Sequence, residues 1–113
     1  MRTASLQQMH KGWFVGAFTP TVFETSQCEI AIKRYKAGEQ EASHVHRIAT
    51  EITVIVSGRV RMNGREFGPD DIIILDPGTP TDFFALDDTV TAVVKVPCVA
   101  GDKYDHPSAG DGL

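Results

Sequence analysis

The sequence predicts an all-β fold, a sandwich or a barrel, and three observations carry this prediction. Short runs of β-branched and apolar residues recur at intervals of about 8 to 12 residues, separated by turns rich in glycine, proline and aspartate. No segment has the periodicity of about 3.6 residues that a long amphipathic helix needs. Asn63-Gly64 lies between two such runs and predicts a tight hairpin, because both central residues of that turn need a positive φ.

Length and composition predict one globular domain. The chain has 113 residues, of which 42% are hydrophobic and 23% charged, values that are ordinary for a folded domain of this size. We expect a single domain over residues 1–113 with its core at about 13–97. Residues 1–11 are expected to form an N-terminal arm, and residues 100–113, which are rich in glycine, a flexible C-terminal tail.

The charge balance excludes some classes of partner. A net charge of −4 and an isoelectric point near 5.4 argue against nucleic-acid binding, which needs a basic face. No apolar run approaches the roughly 18 residues of a membrane span, and the N-terminus has no apolar signal segment. The sequence therefore predicts a cytoplasmic protein without membrane partners. Cys28 and Cys98 lack metal-type spacing and are predicted to be reduced thiols.

In the first third of the chain, the polar residues 1–11 predict a loose arm or one helical turn. The aromatic run 13–18 predicts a strand that ends before Pro20, because proline cannot donate to a ladder. In a small barrel such a strand packs on the core or against a second subunit. Residues 28–36 alternate as a strand, on which Tyr35 either packs with its hydroxyl at a pocket rim or donates a hydrogen bond within the pocket.

The rest of the chain predicts a series of short strands. Residues 51–57 are β-branched and apolar enough for a strand buried on both faces. Phe83 and Phe84 are adjacent on a later strand, so one should line the interior and the other the outside. The remaining strands are predicted at 59–62, 65–67, 72–75, 81–85 and 89–96.

The candidate functional residues lie just before residue 52. His44 and His46 are two positions apart on an extended strand and therefore point to the same face. Glu51 follows His46 by an odd offset, so residues 47–50 must contain a turn or bulge for it to face back. Two imidazoles and a carboxylate suit a borderline divalent metal such as Fe, Mn, Ni or Zn. The competing interpretation is a pair of histidines on an exposed strand edge beside a surface carboxylate.

The spacing around these residues resembles a known family. Gly38, five residues, His44-x-His46, four residues, Glu51, six residues and Gly58 are similar to the first motif of the cupin superfamily at every defining position. The resemblance covers roughly residues 28–96. It implies a double-stranded β-helix, or jelly-roll, barrel in which His44, His46 and Glu51 are metal ligands.

The second cupin motif is matched only in part. That motif has a glycine, then proline-x-glycine, then a histidine after two further residues, and residues 68–81 are similar to it. Pro77-Gly78 replaces the proline-x-glycine order, and Thr81 stands where the family has its third histidine ligand. Three ligands remain, a number that catalytic sites often keep while water or substrate fills the rest. Asp82 can supply an oxygen if its strand bulges, or it is an ordinary turn-end carboxylate.

The resemblance implies a small-molecule ligand or substrate, since cupins include dioxygenases, sugar isomerases and epimerases, and ligand-binding proteins. Our hypothesis is a metal-binding cupin that acts on a small molecule in the barrel, as an isomerase or epimerase of a sugar derivative or as an oxygenase. The alternative is a non-catalytic binding or sensing cupin, with or without metal. A metal-free enzyme with His44 or His46 as general base is a third possibility. A homodimer is expected, as in other cupins; a monomer with its first strand folded back is the alternative.

Overall fold

Most strands lie where the apolar alternation of the sequence places them, and turns rich in glycine, proline and aspartate connect them. Our computed structural model describes residues 1–106. A 3₁₀ helix at Leu6–Gln8 precedes the strands, which are β1 (Trp13–Val15), β2 (Glu29–Tyr35), β3 (Gln40–Val45), β4 (Thr50–Ser57), β5 (Val60–Met62), β6 (Arg65–Phe67), β7 (Ile72–Leu75), β8 (Thr81–Ala85), β9 (Thr89–Val96) and β10 (Tyr104–Asp105).

These strands form two antiparallel sheets of five strands each. The strand order is β1-β2-β9-β4-β7 in the first sheet and β10-β3-β8-β5-β6 in the second. Strands distant in the chain are neighbours, since β2 and β4 both pair with β9, and β3 pairs with β8. Each half of the chain therefore contributes to both sheets, and the prediction of an all-β fold is confirmed.

The hydrophobic core lies between the two sheets. Ile55 of β4 and Leu75 of β7 meet Val60, Met62 and Phe83 from the second sheet in one buried cluster. Burial of an aliphatic or aromatic side chain of this size contributes roughly 1.5 to 3 kcal/mol to the free energy of unfolding. This cluster anchors β4 and β8, the strands whose other ends carry the polar interior described below.

The hairpin between β5 and β6 has the predicted turn. Asn63 and Gly64 have φ values of 50° and 77°, and Met62 pairs with Arg65 across the turn. The Asp82 carboxylate accepts a hydrogen bond of 2.7 Å from the Asn63 backbone N–H, which joins the turn to β8. The hairpin prediction is confirmed.

The prediction that residues 51–57 are buried on both faces is wrong. Thr53 and Ile55 face the interior and are buried, whereas Ile52 and Val54 on the other face are only half-buried. Two stacked sheets bury one face of each sheet and leave the other to solvent. The apolar outer side of β4 is therefore surface and not a second core layer.

The predicted flexible tail at 100–113 is wrong in its described part. Tyr104–Asp105 forms strand β10, which pairs with β3 so that Tyr104 lies opposite Val45 and Asp105 opposite His44. The segment is short, yet its pairing satisfies backbone hydrogen-bonding groups of β3 at the edge of the second sheet. Residues 107–113 of the predicted tail lie outside the described residues.

At the N-terminus, Leu6–Gln8 forms a single 3₁₀ turn, which agrees with the helical alternative for residues 1–11. The aromatic strand β1 pairs with β2 of its own sheet and ends at Val15, earlier than the predicted 13–18. Leu6 lines a small cavity together with Phe14, so the arm packs beside this strand. Within residues 1–106, no helix is long and apolar enough to cross a membrane.

Candidate metal centre

The three predicted ligands meet where the two sheets face each other. β3 ends at Val45 and β4 begins at Thr50, and the non-strand residues 46–49 between them form the predicted turn. The turn resets the alternation, so Glu51 faces the interior on the same side as His44. One nitrogen of each histidine and one oxygen of Glu51 all lie within 4.8 Å of one another.

The histidines of this cluster are buried. His44 and His46 are each 6% exposed, and Nε2 of His46 lies 3.7 Å from Oε2 of Glu51. That distance is an ion-pair contact but is too long for a hydrogen bond. The exposed-edge interpretation of the two histidines is therefore wrong for the described structure.

The other ring nitrogens of the two histidines are already engaged. Nδ1 of His44 donates to the Ala42 carbonyl oxygen at 3.1 Å, and Nδ1 of His46 donates to the Asp102 carbonyl oxygen. A carbonyl only accepts, so both rings carry their proton on Nδ1 and present the lone pair of Nε2 to the cluster. Metal-ligating histidines are typically held in this way.

One atom of the cluster has no hydrogen-bond partner among the described residues. Nε2 of His46 is buried and makes no hydrogen bond with the described residues. Buried polar atoms are almost always satisfied, and an unsatisfied lone pair costs about 1 to 3 kcal/mol. A divalent cation held by two imidazoles and a carboxylate would satisfy this nitrogen, so the residues present fit a metal ion.

The electrostatics of the cluster favour ligand-competent protonation states for His44 and Glu51, whereas the pKa of His46 is shifted toward the protonated imidazolium. Burial lowers the pKa of His44, so this imidazole stays neutral. The contact with Glu51 raises the pKa of His46. Burial of Glu51 acts to raise its pKa, but the neighbouring His46 and the charge of Lys95 outweigh it, and the pKa of Glu51 lies below its ordinary value. Glu51 is therefore an anion at neutral pH.

Thr81 occupies the position where the cupin motif has a third histidine. It pairs directly with His44 across β3 and β8 and is buried. Its hydroxyl donates to the Asp82 carbonyl oxygen at 2.8 Å. Asp82 is not part of the cluster, because its carboxylate holds the Asn63 turn, which agrees with the turn-end interpretation. The site wall therefore offers a hydroxyl where the motif offers an imidazole.

Asp102 is the residue that sequence reasoning missed. Its carboxylate accepts hydrogen bonds from the backbone N–H groups of Arg47 and Ala49 at 2.9 Å and of Ile48 at 3.1 Å. Burial acts to raise the pKa of Asp102, but these donors hold it below its usual value. Through its carbonyl and its carboxylate, Asp102 thus fixes His46 and the turn that follows it. No motif in the sequence marks this role.

Two cavities are lined by both His44 and Glu51. The mouth cavity, of about 600 Å³, opens to solvent. The inner cavity, of about 30 Å³, is the size of one water molecule. Because they share these two residues, the cavities meet at the cluster. The inner cavity is further lined by Lys33, Tyr35, Glu41, Thr53, Met62, Thr81, Phe83, Thr91 and Val93.

Tyr35 and Phe83 form an aromatic wall of the inner cavity. Their ring centroids are 4.4 Å apart. Burial, together with the nearby glutamates, raises the pKa of Tyr35 above its ordinary range, so the phenol stays protonated. Phe83 is buried and Phe84 half-buried on the opposite side of β8, which confirms the prediction that the two rings face apart.

The two cysteines, Cys28 and Cys98, are both half-buried free thiols. Cys98 donates a hydrogen bond of 2.9 Å to the carboxylate of Glu29, which lines the mouth cavity. Burial and this contact raise the pKa of Cys98. Cys98 is therefore a protonated hydrogen-bond donor that helps to hold Glu29 in place.

Comparison by sequence gives no match, since no protein-family model and no curated protein matches the chain. Comparison by structure gives many matches. A protein with a double-stranded β-helix domain from Klebsiella pneumoniae subsp. pneumoniae MGH 78578 is 22% identical, with a TM-score of 0.67 over 88% of each chain. An RmlC-like cupin from Shewanella frigidimarina NCIMB 400 is 15% identical, with a TM-score of 0.62 over 69% of this chain and 72% of its own. The chain has the cupin fold.

Larger proteins with the cupin fold also match. Oxalate decarboxylase from Bacillus subtilis is 20% identical, with a TM-score of 0.61, and the match covers 71% of this chain but only 24% of the decarboxylase. That enzyme has Mn(II) centres. The predicted cupin fold is confirmed by these matches, and the cluster of His44, His46 and Glu51 in this chain is an arrangement that can hold a metal.

Proposed function

We propose that this cupin binds one divalent transition metal, Fe, Mn, Ni or Zn, through His44, His46 and Glu51 and acts on a small molecule that enters from the mouth cavity. The observation that carries the proposal is the buried cluster itself, with ligand atoms within 4.8 Å of one another and a buried Nε2 of His46 that makes no hydrogen bond with the described residues. Three protein ligands leave coordination positions for substrate, as in catalytic sites. The Mn(II) centres of oxalate decarboxylase support a metal of this class.

A metal bound there would supply Lewis-acid or redox chemistry to an oxygen-bearing substrate, which suits isomerisation, epimerisation or oxygenation. The chain itself binds and orients the substrate. Tyr35, whose raised pKa keeps its proton in place, is a hydrogen-bond donor in the wall of the inner cavity. The apolar side chains of Met62 and Phe83 exclude bulk water from the inner end.

A non-catalytic binding or sensing module is the second candidate, and the inner cavity favours it. Apart from the candidate ligands, its described lining consists of hydroxyl and apolar side chains together with the paired Lys33 and Glu41, whose charged atoms are 3.5 Å apart. No histidine outside the candidate cluster lines it, and its other carboxylate, Glu41, is paired with Lys33, so the described lining offers no unpaired general base beside the cluster. The same metal would then serve to hold a ligand and not to transform it.

Metal content tests the proposal. Protein purified without an affinity tag or chelator is expected to carry about one equivalent of a transition metal, as measured by elemental mass spectrometry. Chelation should remove the metal, and reloading with Fe(II), Mn(II), Ni(II) or Zn(II) in parallel should restore it. Failure to retain any of the four metals at micromolar protein would contradict the metal site. Turnover by the reloaded protein would then separate an enzyme from a binding module.

We also propose a homodimer, formed through the outer face of the first sheet. Ile72 and Ile74 of the edge strand β7 are each 61% exposed, and Val56 on β4 is 51% exposed. The half-buried Ile52 and Val54 lie between them on the same face. Such a continuous apolar patch is typical of an interface, and a second copy would cover it with an equally apolar surface.

Light scattering after size exclusion tests the dimer. The wild-type protein is expected at about twice the 12.3 kDa of one chain. The double substitution Ile72→Lys and Ile74→Lys should shift it to 12.3 kDa, because charges on the patch oppose association. Phe23→Lys is the matched control, since Phe23 is equally exposed but lies beside β1, at the opposite edge of the sheet from β7. A wild-type monomer at micromolar concentration would exclude this interface.

A further inference from the structure

The mouth cavity has a surplus of positive charge although the chain as a whole is acidic. The net charge of the protein is −4. The charged side chains that line the mouth cavity are nevertheless four lysines and three glutamates, namely Lys11, Lys33, Lys95, Lys103, Glu29, Glu41 and Glu51. A bound divalent cation would add two further positive charges. The field of this cavity therefore attracts anions.

Lys95 is fixed directly beside the candidate ligand Glu51. It lies between Glu51 of β4 and Glu29 of β2 in one row across the sheet. Its Nζ is 3.3 Å from Oε1 of Glu29 and 5.0 Å from the ring centroid of Trp13. An ammonium group has three donors, and the contact with Glu29 leaves donors for a ligand. Lys95 is therefore a pre-positioned anion-binding group.

Lys33 and Lys103 border the same space. The Nζ atom of Lys33 is 3.5 Å from Oε2 of Glu41 and 5.7 Å from the ring centroid of Trp13. Trp13 thus separates two half-buried ammonium groups at the mouth. Lys103 is exposed and lines the mouth cavity together with His44. Three ammonium groups therefore surround the approach to the cluster.

A second buried polar atom without a hydrogen-bond partner among the described residues lies in the wall of the inner cavity. Thr91 is 1% exposed, and its Oγ1 has no hydrogen-bond partner among the described residues. Thr91 lines the inner cavity, whose volume of about 30 Å³ admits one water-sized group. The inner end of the site is thus equipped to hydrogen-bond one hydroxyl group and cannot admit a larger substituent.

The positive charge of the mouth cavity and the unpartnered hydroxyl of Thr91 in the inner cavity together define a ligand class. We propose that the site takes a small hydroxy acid, with its carboxylate held at the mouth by Lys95 and Lys103 and its hydroxyl directed toward Thr91. The inference rests on the metal site proposed above, which lies between the two recognition regions. It adds the requirement for a negative charge at one end of the molecule and for a single hydroxyl at the other.

Glycolate, the smallest hydroxy acid, is the probe. Calorimetric titration of the metal-reloaded protein is expected to give an affinity for glycolate at least about tenfold above that for the neutral glycolamide. Lys95→Gln and Lys103→Gln should each weaken glycolate binding by about threefold or more without lowering metal content, since each removes a positive charge, a loss that does not disfavour a bound cation, and removes no candidate ligand. Lys36→Gln is the control, because Lys36 is exposed and lines neither cavity.

The hydroxyl requirement has its own test. Wild-type protein should prefer glycolate to acetate, and the isosteric change Thr91→Val should reduce this preference by about threefold or more, because it removes the hydrogen-bonding partner. Equal binding of glycolate and glycolamide, or unchanged glycolate binding in both lysine variants, would overturn the inference while metal is retained. If no metal is retained, the proposed function fails, and the same titrations on the metal-free protein decide the inference: lysine-dependent glycolate binding supports it and its absence overturns it.

Discussion

His44→Ala is expected to abolish metal retention while the barrel remains folded. His44 supplies one of three candidate ligand atoms, and neither Thr81 opposite it nor Asp82 beside Thr81 supplies a replacement. Since loss of an outer partner alone lowers metal affinity by about 10- to 100-fold, loss of a ligand should lower it by at least about 100-fold. The core cluster contains no part of His44, so the sheets should still assemble.

Two measurements test the loss of metal binding in His44→Ala, namely elemental analysis and thermal unfolding with and without metal. Metal that binds only the folded state raises its stability by about 2.7 kcal/mol at a free concentration 100 times the dissociation constant. Wild-type protein should show this stabilisation and His44→Ala should not. His10→Ala is the matched control, since His10 also lines the mouth cavity but is exposed and lies outside the cluster. Metal content in His44→Ala equal to wild type would locate the metal elsewhere.

The candidate cluster could be predicted from sequence because each step depends on short-range geometry. His44 and His46 share a face through the two-residue period of a strand, and the odd offset of Glu51 requires a turn at 47–50. The structure has that turn at 46–49. The same local rules predicted the Asn63-Gly64 hairpin, where φ alone determines the turn.

Features that depend on distant contacts were not predictable in this way. The segment around Asp102 contains glycine and polar residues and has the composition of a loose tail. Its order comes from Asp102 binding the backbone of residues 47–49 and from the Arg47 guanidinium, whose carbon lies 3.8 Å from the Tyr104 ring centroid. Likewise, whether the outer face of β4 is covered depends on how many layers the fold has, which the residues of one strand do not specify.

Asp102→Ala is expected to weaken metal binding by about 10- to 100-fold, although Asp102 is not a ligand. Its carboxylate accepts three backbone N–H groups of the turn that connects His46 to Glu51, and its carbonyl fixes the Nδ1 proton of His46. Without the carboxylate, these donors lose their acceptor and the turn no longer has one fixed geometry. The free energy of unfolding should also fall, by about 2 to 4 kcal/mol, because hydrogen bonds to a buried charge are lost.

Two further variants separate positioning from simple destabilisation. Asp102→Asn keeps one carbonyl oxygen and should bind metal with an affinity between those of wild type and Asp102→Ala, because part of the turn remains held. Asp105→Ala removes an exposed carboxylate from the same segment and should leave metal affinity unchanged. The visible spectrum of the Co(II)-loaded protein reports ligand geometry, so it should change in Asp102→Ala but not in Asp105→Ala. An Asp102→Ala protein that loses stability but keeps wild-type metal affinity and spectrum would show that Asp102 stabilises the barrel without orienting His46.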